Sequence, residues 1–310
     1  MGRKRVFVIT ALGLAAAAAL AVSGRTAREP APSSSEGARD AVLVGAGDIS
    51  ICRDLSGAEA TARLLDKIPG TVFTLGDHAY PDGREIDFAD CYNPTWGRHK
   101  ARTRPSLGNH DYHTPHAAPY FAYWGDRAGD PDKGYYSYDA GAWHVVVVNS
   151  NCGEIGGCER GSPQEQWVRA DLAAHRGRCA LAYWHHPLFS SGVKPAHARH
   201  PEMRPIWEAL YEAGTTLVVN GHEHNYERFA PQDPDGRADA QRGIREIVAG
   251  VGGKDFDPLV DPRPNSEVRS DRAFGVLELT LHPKSYDWRF VPVAGESFID
   301  AGTEACRARP

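Results

Sequence analysis

Apolar and amphipathic segments alternate through the first two thirds of the chain. Runs of apolar and β-branched residues predict buried strands; they are AVLVGAG (41–47), TVFTLG (71–76), CALAYW (179–184) and TTLVVN (215–220). Two segments, 58–68 and 201–214, carry apolar side chains every three or four positions, which predicts helices. A further helix is predicted after Ser162, because Pro163 and Glu165 follow it in the pattern of a capping box.

The remaining apolar runs predict strands without intervening helices. Residues 134–150 predict two strands joined at Asp139-Ala140-Gly141, and later strands are predicted in REIVAGVG (245–252), FGVLELTL (274–281) and YDWRFVPV (286–293). Two Pro- and Asp-rich segments, 230–243 and 254–272, are predicted to be long loops. Alternating strands and helices followed by a β-rich part predict an α/β fold with sheets layered between helices.

The N-terminus has the pattern of an export signal. The basic residues GRKR precede an apolar run from Val6 to Val22, and small residues follow. We therefore expect a signal peptide at 1–27, a Pro- and Ser-rich disordered linker at 28–40 and one catalytic domain at 41–310. The alternative is an uncleaved membrane anchor. After cleavage no membrane span is expected, and the protein is predicted to be secreted or extracytoplasmic.

Charge and cysteine content agree with export. The 310 residues include 35 basic and 40 acidic side chains, and loss of 1–27 would change the net charge from −5 to −9. An acidic protein of this kind is not expected to have a specific nucleic-acid partner. The six cysteines all lie after residue 27, so disulfides are expected, with Cys152–Cys158 as the first pair. Cys52–Cys91 and Cys179–Cys306 would complete the set.

Polar side chains able to bind metals or transfer protons follow four of the predicted strands, and the segment SLGNHD adds more. In chain order they are Asp48, Asp77, Tyr80, Asn109, His110, Asp111, His185, His186, His222 and His224. Ligands of open α/β sheets collect beyond the carboxyl ends of strands, so these distant groups are expected to converge. Carboxylate, amide, phenol and imidazole donors without a thiolate favour Fe, Zn or Mn over Ca.

Spacing within these segments suits two neighbouring cations. A carboxylate at a strand end can bridge two metals and neutralise part of their repulsion. In GHEH, an extended backbone would turn His222 and His224 to the same side, so that each could bind one metal. Glycine precedes several of the candidate ligands and would permit tight turns there. Two metals a few ångströms apart can clamp the oxygens of a phosphoryl group.

The order GD…GDxxY…GNHD…HHP…GHxH resembles the calcineurin-like metallophosphoesterases, and the spacing to Tyr80 resembles their purple acid phosphatase branch. The resemblance covers residues 41–294 and implies a four-layer αββα fold with two mixed sheets. It also implies two metal ions. Fe(III) would be held by Asp48, Asp77, Tyr80 and His224, and a divalent Zn, Mn or Fe(II) by Asp77, Asn109, His185 and His222.

The resemblance also implies roles for residues around the metals. His110 would contact the substrate phosphate and donate a proton to the leaving oxygen. A second outer histidine would be His197, with His200 as the alternative. His186 is expected to orient a neighbour, and Asp111 to accept an imidazole N–H from a metal ligand or from His110.

These features together predict a secreted phosphoesterase. It would hydrolyse small phosphate monoesters by attack of a metal-bound hydroxide. A phosphodiesterase acting on nucleotides or lipid head groups is one alternative. A catalytically inactive, metal-stabilised binding protein is an alternative of another class.

Overall fold

The computed structural model describes Gly2, residues 40–192 and residues 200–307. Contacts between Cα atoms divide the chain into Met1–Glu36 and Gly37–Pro310, and every element given below belongs to the second unit. The signal peptide predicted at 1–27 and the linker at 28–40 lie outside the described residues, apart from Gly2 and Asp40; His197 lies outside them too. Within the described part, no helix is long and apolar enough to cross a membrane.

Strands and helices alternate along the first half of the described chain, and strands dominate the second. The strands are β1 (Ala41–Ala46), β2 (Ser50–Ile51), β3 (Thr71–Leu75), β4 (Ala79–Tyr80), β5 (Thr103–Ser106), β6 (Tyr136–Ala140), β7 (Trp143–Val147), β8 (Cys179–Trp184), β9 (Leu217–Asn220), β10 (Tyr226–Phe229), β11 (Arg245–Ala249), β12 (Ser266–Ser270), β13 (Gly275–Leu281), β14 (Ser285–Pro292) and β15 (Ala301–Ala305). The α-helices are α1 (Ser56–Leu65), α2 (Glu85–Asp87), α3 (Ala118–Trp124), α4 (Pro163–Ala174) and α5 (Arg204–Ala213).

Two large mixed sheets form the framework. The six-stranded sheet has the order β15-β14-β13-β1-β3-β5, and the seven-stranded sheet has the order β12-β10-β11-β9-β8-β7-β6. Strands β1, β3 and β5 run parallel, as do β7, β8, β9 and β11 in the other sheet. Antiparallel strands complete the six-stranded sheet at one edge and the seven-stranded sheet at both edges. A short parallel pair, β2 and β4, lies outside them.

The cores explain the layer order. Along β8, Leu181 and Tyr183 belong to the cluster that also contains β1 and β13 side chains, so this face meets the other sheet. The alternate residues Ala182 and Trp184 belong to a second cluster with side chains of α4 and α5. Helix α1 packs against β13 on the six-stranded sheet. The expected α/β fold, with two mixed sheets between helices, is confirmed.

Local signals predicted most element positions correctly. The Ser162 hydroxyl caps α4 by accepting from the Glu165 N–H, as expected, whereas the Glu165 carboxylate accepts from Gly161 N–H rather than closing the box on Ser162. The pattern missed β2, β4, β5, β10, β12 and β15. The prediction of one long loop at 254–272 was wrong, because β12 lies inside it and pairs with β10.

Three disulfides cross-link the described part of the chain. They are Cys52–Cys91, Cys152–Cys158 and Cys179–Cys306, the three pairs named from the sequence. The last pair connects the start of β8 to the residue after β15, across 127 positions of the chain. Such a cross-link reduces the conformational freedom of the unfolded chain, so it favours retention of the C-terminal strand in its sheet.

His144 provides a pH-dependent contribution to stability. Its ring nitrogens lie 3.0 Å from Asp139 Oδ1 and 2.6 Å from Asp171 Oδ2, and its side chain is almost fully buried. Burial alone would lower the pKa of His144, but the hydrogen bonds to Asp171 and Asp139 outweigh it and raise the pKa. The stabilisation is therefore present in full below about pH 6.5 and is lost as pH rises through the raised folded-state value.

We expect His144→Asn to cost more stability in acid than in base. The free energy of unfolding, measured with urea at about pH 5.5 and about pH 9, should show a wild-type advantage about 1 to 2 kcal/mol larger at the lower pH. An advantage that grows with pH would contradict the assignment of a protonated His144 between the two carboxylates.

Candidate metal centre

The carboxyl ends of parallel strands from both sheets meet at one place. Asp48 and Asp77 follow β1 and β3, and Asn109 follows β5, a strand that the sequence pattern missed. His185 follows β8 and His222 follows β9 in the other sheet. The site therefore spans the two sheets, as expected for ligands beyond the ends of parallel strands.

The backbone is strained at the candidate ligands themselves. Asp48, Asp77 and His222 have φ values of 59°, 52° and 69°, in the left-handed region that non-glycine residues rarely adopt. The expectation of an extended GHEH segment was wrong, because the turn at His222 separates the two imidazoles. The backbone at residue 108 also passes close to the Asp77 side chain. Only glycine fits there, because a Cβ atom would lie 2.1 Å from Asp77 Oδ1.

A first cluster of buried polar atoms surrounds the Tyr80 hydroxyl. This oxygen lies 2.8 Å from Asp48 Oδ1 and 2.8 Å from Asp77 Oδ2. His224 Nε2 lies 3.3 Å from the same hydroxyl and 3.4 Å from Asp48 Oδ1. Two carboxylates, a phenol and an imidazole thus point at one another, and all four residues are buried.

A second cluster lies on the other side of Asp77. Asn109 Oδ1 is 3.0 Å from His185 Nε2 and 3.1 Å from His222 Nδ1, and these two nitrogens are 3.2 Å apart. The other oxygen of Asp77, Oδ1, lies 3.5 Å from His185 Nε2. The Nδ1 atom of His185 lies 2.6 Å from the Leu75 carbonyl, which fixes the ring and directs Nε2 into the cluster. Asp77 therefore contributes one oxygen to each cluster.

Protonation of these groups reflects their crowding. Burial alone would raise the pKa of Asp77, but the charge of His185 and its hydrogen bond lower it well below the usual range. Burial would likewise lower the pKa of His185, yet Asp77 raises it to about 9. Burial, with the charges of Asp48 and Asp77, raises the pKa of Tyr80 well above its usual value. A cation that binds here must displace protons from these groups. The affinity of the site for the cation should therefore decrease as the pH is lowered.

The donor set fits a pair of cations. Two buried carboxylates converge with a phenol, an amide oxygen and three imidazole nitrogens, a combination that suits Fe, Zn or Mn. Asp48, Asp77 and His185 offer ligand atoms that all lie within 4.8 Å of one another, and so do His185, His186 and His222. Positive charge at both clusters would offset the repulsion between the two aspartates.

A family model described as calcineurin-like phosphoesterase matches residues 42–226, which contain every residue of both clusters. The chain belongs to this family. The family implies a dimetal centre, and the two clusters supply ligand groups for it. Together with its relatives, this match also places the chain on the purple acid phosphatase-like branch of the family.

Several relatives of this calcineurin-like phosphoesterase are named as purple acid phosphatases of plants. It is 28% identical to purple acid phosphatase 15 of Arabidopsis thaliana over 240 residues, 66% of this chain and 43% of that protein. It is 27% identical to the probable inactive purple acid phosphatase 9 of the same plant over 139 residues, 43% and 21% of the two proteins. The chain thus spans less than half of either relative. A purple acid phosphatase from yellow lupin seeds shares the fold, with a TM-score of 0.69, 18% identity and coverage of 86% and 54%.

His110 lies at the edge of the first cluster of this phosphoesterase. Its backbone N–H donates to Asp77 Oδ1 over 2.9 Å, and its ring packs on Tyr80 with 4.4 Å between centroids. The Nδ1 atom lies 2.5 Å from the Pro81 carbonyl, so Nδ1–H donates there and Nε2 is left 3.8 Å from Asp77 Oδ2. Its side chain is 28% exposed, so the ring can be reached from solvent.

Asp111 has a different partner from the one expected. Neither His110 nor a candidate metal ligand donates an imidazole N–H to it; its imidazole partner is His78, whose Nδ1 lies 3.1 Å from Oδ2. The same oxygen accepts the backbone N–H groups of Gly108 and Asp77, at 2.9 and 3.2 Å. Asp111 thus joins the strained turn at Asp77 to the segment at Gly108, and His78, fully buried, supports it. No feature of the sequence indicated the His78–Asp111 pair.

Two further histidines lie beside the second cluster. His186 Nδ1 is 2.8 Å from Ser150 Oγ, and its ring is 4.5 Å from that of His222. His200 packs on His186 with 4.1 Å between ring centroids, and its Nδ1 is 2.9 Å from Glu202 Oε1. The position of His200 keeps it as the alternative for the second outer histidine, because His197 lies outside the described residues.

Residues of the segment after β11 also reach the site, and sequence reasoning missed them. His224 Nδ1 lies 3.3 Å from both Asp255 Oδ1 and Asp257 Oδ2. Lys254 pairs with Asp255 and lies 5.1 Å from the centroid of the Tyr80 ring. These residues belong to a segment interpreted as a loop, and nothing in its local sequence indicates which side chains it carries to the metal centre.

Proposed function

We propose that this protein is an exported, binuclear-metal phosphoesterase that hydrolyses phosphate monoesters. The observation that carries the proposal is the position of Asp77, whose two oxygens face two separate buried clusters of metal-binding groups. A bridging carboxylate of this kind is what two neighbouring cations require. Membership of the calcineurin-like phosphoesterase family supports the reaction class.

We infer a ligand set for each cation from the two clusters and the resemblance. The first set would hold Fe(III) and comprises Asp48, Asp77, Tyr80 and His224. The second would hold Zn, Mn or Fe(II) and comprises Asp77, Asn109, His185 and His222. Two cations in these positions would activate a water molecule and neutralise negative charge on the phosphoryl group.

The chain's own residues would position the ester and move its proton. His110 is anchored through Nδ1 to the Pro81 carbonyl, so a protonated ring presents Nε2–H to the site. We propose that this N–H donates a hydrogen bond to a phosphoryl oxygen. Its proton is then transferred to the leaving oxygen as the P–O bond breaks. The buried Asp111–His78 pair keeps the turn that carries Asn109 and His110 in place.

A groove of about 390 Å³ lies next to the second cluster, and its size suits a small substrate. Its walls include Asn109, Tyr112, Asn151 and His200. That volume is at the lower end of those that hold small molecules, which favours a compact leaving group. Export is supported by the N-terminal pattern of residues 1–27 and by the three disulfides, which persist in oxidising compartments.

Metal counting and a pair of chromogenic esters test the proposal. We expect elemental analysis of the purified protein to find two metals per chain, iron among them, with a purple colour. A 4-nitrophenyl monoester should be hydrolysed faster than the bis-ester. Faster hydrolysis of the bis-ester would indicate the phosphodiesterase. Two metals without iron would rule out the ferric site at Tyr80. Two metals without hydrolysis of either ester would indicate the inactive binding protein.

A further inference from the structure

The geometry points to Lys254 as a substrate contact. Resting on the proposed function, we propose that its ammonium binds a terminal phosphoryl oxygen of the ester and makes the site prefer monoesters over diesters. The preference follows from charge, because a monoester presents a dianionic phosphoryl group with three terminal oxygens, whereas a diester presents a monoanion with two.

Lys254 is brought to the metal centre by the glycine-rich segment before it. The N–H of Gly252 donates to the Gly47 carbonyl over 2.8 Å, and the N–H of Lys254 donates to the Asp48 carbonyl over 2.9 Å. This pairing lays the segment along the end of β1. A Cβ atom at Gly252 would lie 2.5 Å from the Gly47 oxygen, so only glycine permits the approach. After Lys254, the Phe256 ring stacks on the Phe274 ring with 4.2 Å between centroids. This contact anchors the segment on the C-terminal side of Lys254.

Two independent contacts locate the ammonium. It lies 5.1 Å from the centroid of the Tyr80 ring, whose hydroxyl joins both aspartates of the first cluster. It also pairs with Asp255, whose Oδ1 lies 3.3 Å from His224 Nδ1. The Lys254 side chain is only 14% exposed, so its charge is held next to the Tyr80–His224 pair rather than in bulk water.

Lys254 and His110 flank the same phenol. Both contact the Tyr80 ring, His110 with 4.4 Å between centroids. A phosphoryl group at the two clusters would therefore meet a proton donor from His110 and a fixed cation from Lys254. Asp255 does not depend on Lys254 for a counter-ion, because Arg53 lies 3.3 Å from its Oδ2. The ammonium can thus turn to an anionic ligand without leaving that carboxylate unpaired.

The test compares Lys254→Met with wild type on two esters that release the same 4-nitrophenolate. For 4-nitrophenyl phosphate we expect kcat/KM to fall about 10- to 100-fold, the range for loss of one charge-assisted hydrogen bond. For methyl 4-nitrophenyl phosphate the fall should be about threefold or less. Lys254→Arg should keep most of the preference. The matched control is Lys100→Met, because Lys100 lies 4.1 Å from the Tyr123 ring and away from both clusters.

Phosphate binding gives a readout that needs no turnover. By titration calorimetry, inorganic phosphate should bind metal-loaded Lys254→Met about tenfold more weakly than wild type, with the metal content of the two proteins equal. Equal losses on both esters, or unchanged phosphate affinity, would overturn the proposal. Loss of metal from Lys254→Met would also overturn it, because Lys254 would then support His224 instead. If wild type hydrolyses neither ester, the proposed function fails, while the phosphate titration still decides the role of Lys254.

Discussion

Asp77→Asn is expected to lose bound metal and hydrolysis together. Asparagine has nearly the same shape, but it removes the charge that one buried carboxylate offers to both clusters, and its NH₂ group would face the Tyr80 hydroxyl or the His110 N–H. Elemental analysis should find less than one metal per chain. The value of kcat/KM for a monoester should fall at least about 1,000-fold, since two-metal clamping contributes several kcal/mol.

A second buried aspartate provides the control for Asp77→Asn. Asp300 accepts hydrogen bonds from Tyr226, Arg228 and Trp288 and belongs to neither cluster. Asp300→Asn should lower the free energy of unfolding but leave the metal content of the folded protein unchanged. Asp77→Asn should keep its circular dichroism spectrum. Retention of two metals and of full activity by Asp77→Asn would remove the bridging role.

His110→Ala is expected to keep both metals and lose rate. His110 touches the site through its ring but is not among the inferred ligands, so metal content should stay at the wild-type value. For an alkyl phosphate, whose leaving oxygen needs a proton, kcat should fall about 100- to 1,000-fold. For 4-nitrophenyl phosphate, whose leaving group is stable as an anion, the fall should be about tenfold.

The dependence on the leaving group separates proton donation from a structural effect. A general loss of site geometry would slow both esters equally, and full activity of His110→Ala would remove the assigned role. His282→Ala is a matched control, because His282 is 29% exposed and pairs with Asp40 and Asp287 as His110 pairs with Asp77. We expect its activity to stay within about twofold of wild type.

The framework and the chemistry of the donor groups could be predicted from the amino-acid sequence. Strands such as β1, β3, β8 and β9 are encoded locally by short apolar runs, and each is followed directly by a polar side chain able to bind metal. Several other strands were missed because their sequences are short or charged. The side chains of β10, for example, are stabilised by distant partners, as when Arg228 donates to Asp300 over 2.7 Å.

How the donor atoms are shared between the clusters, and which other groups surround them, depends on tertiary contacts. The division of the two Asp77 oxygens between clusters, the His78–Asp111 pair and the approach of Lys254 to Tyr80 all join residues from separate strands or loops. Local propensity and spacing specify backbone conformation over a few residues. Contacts between segments depend instead on how the two sheets pack and on glycines that admit close approach, and no short stretch of sequence records them.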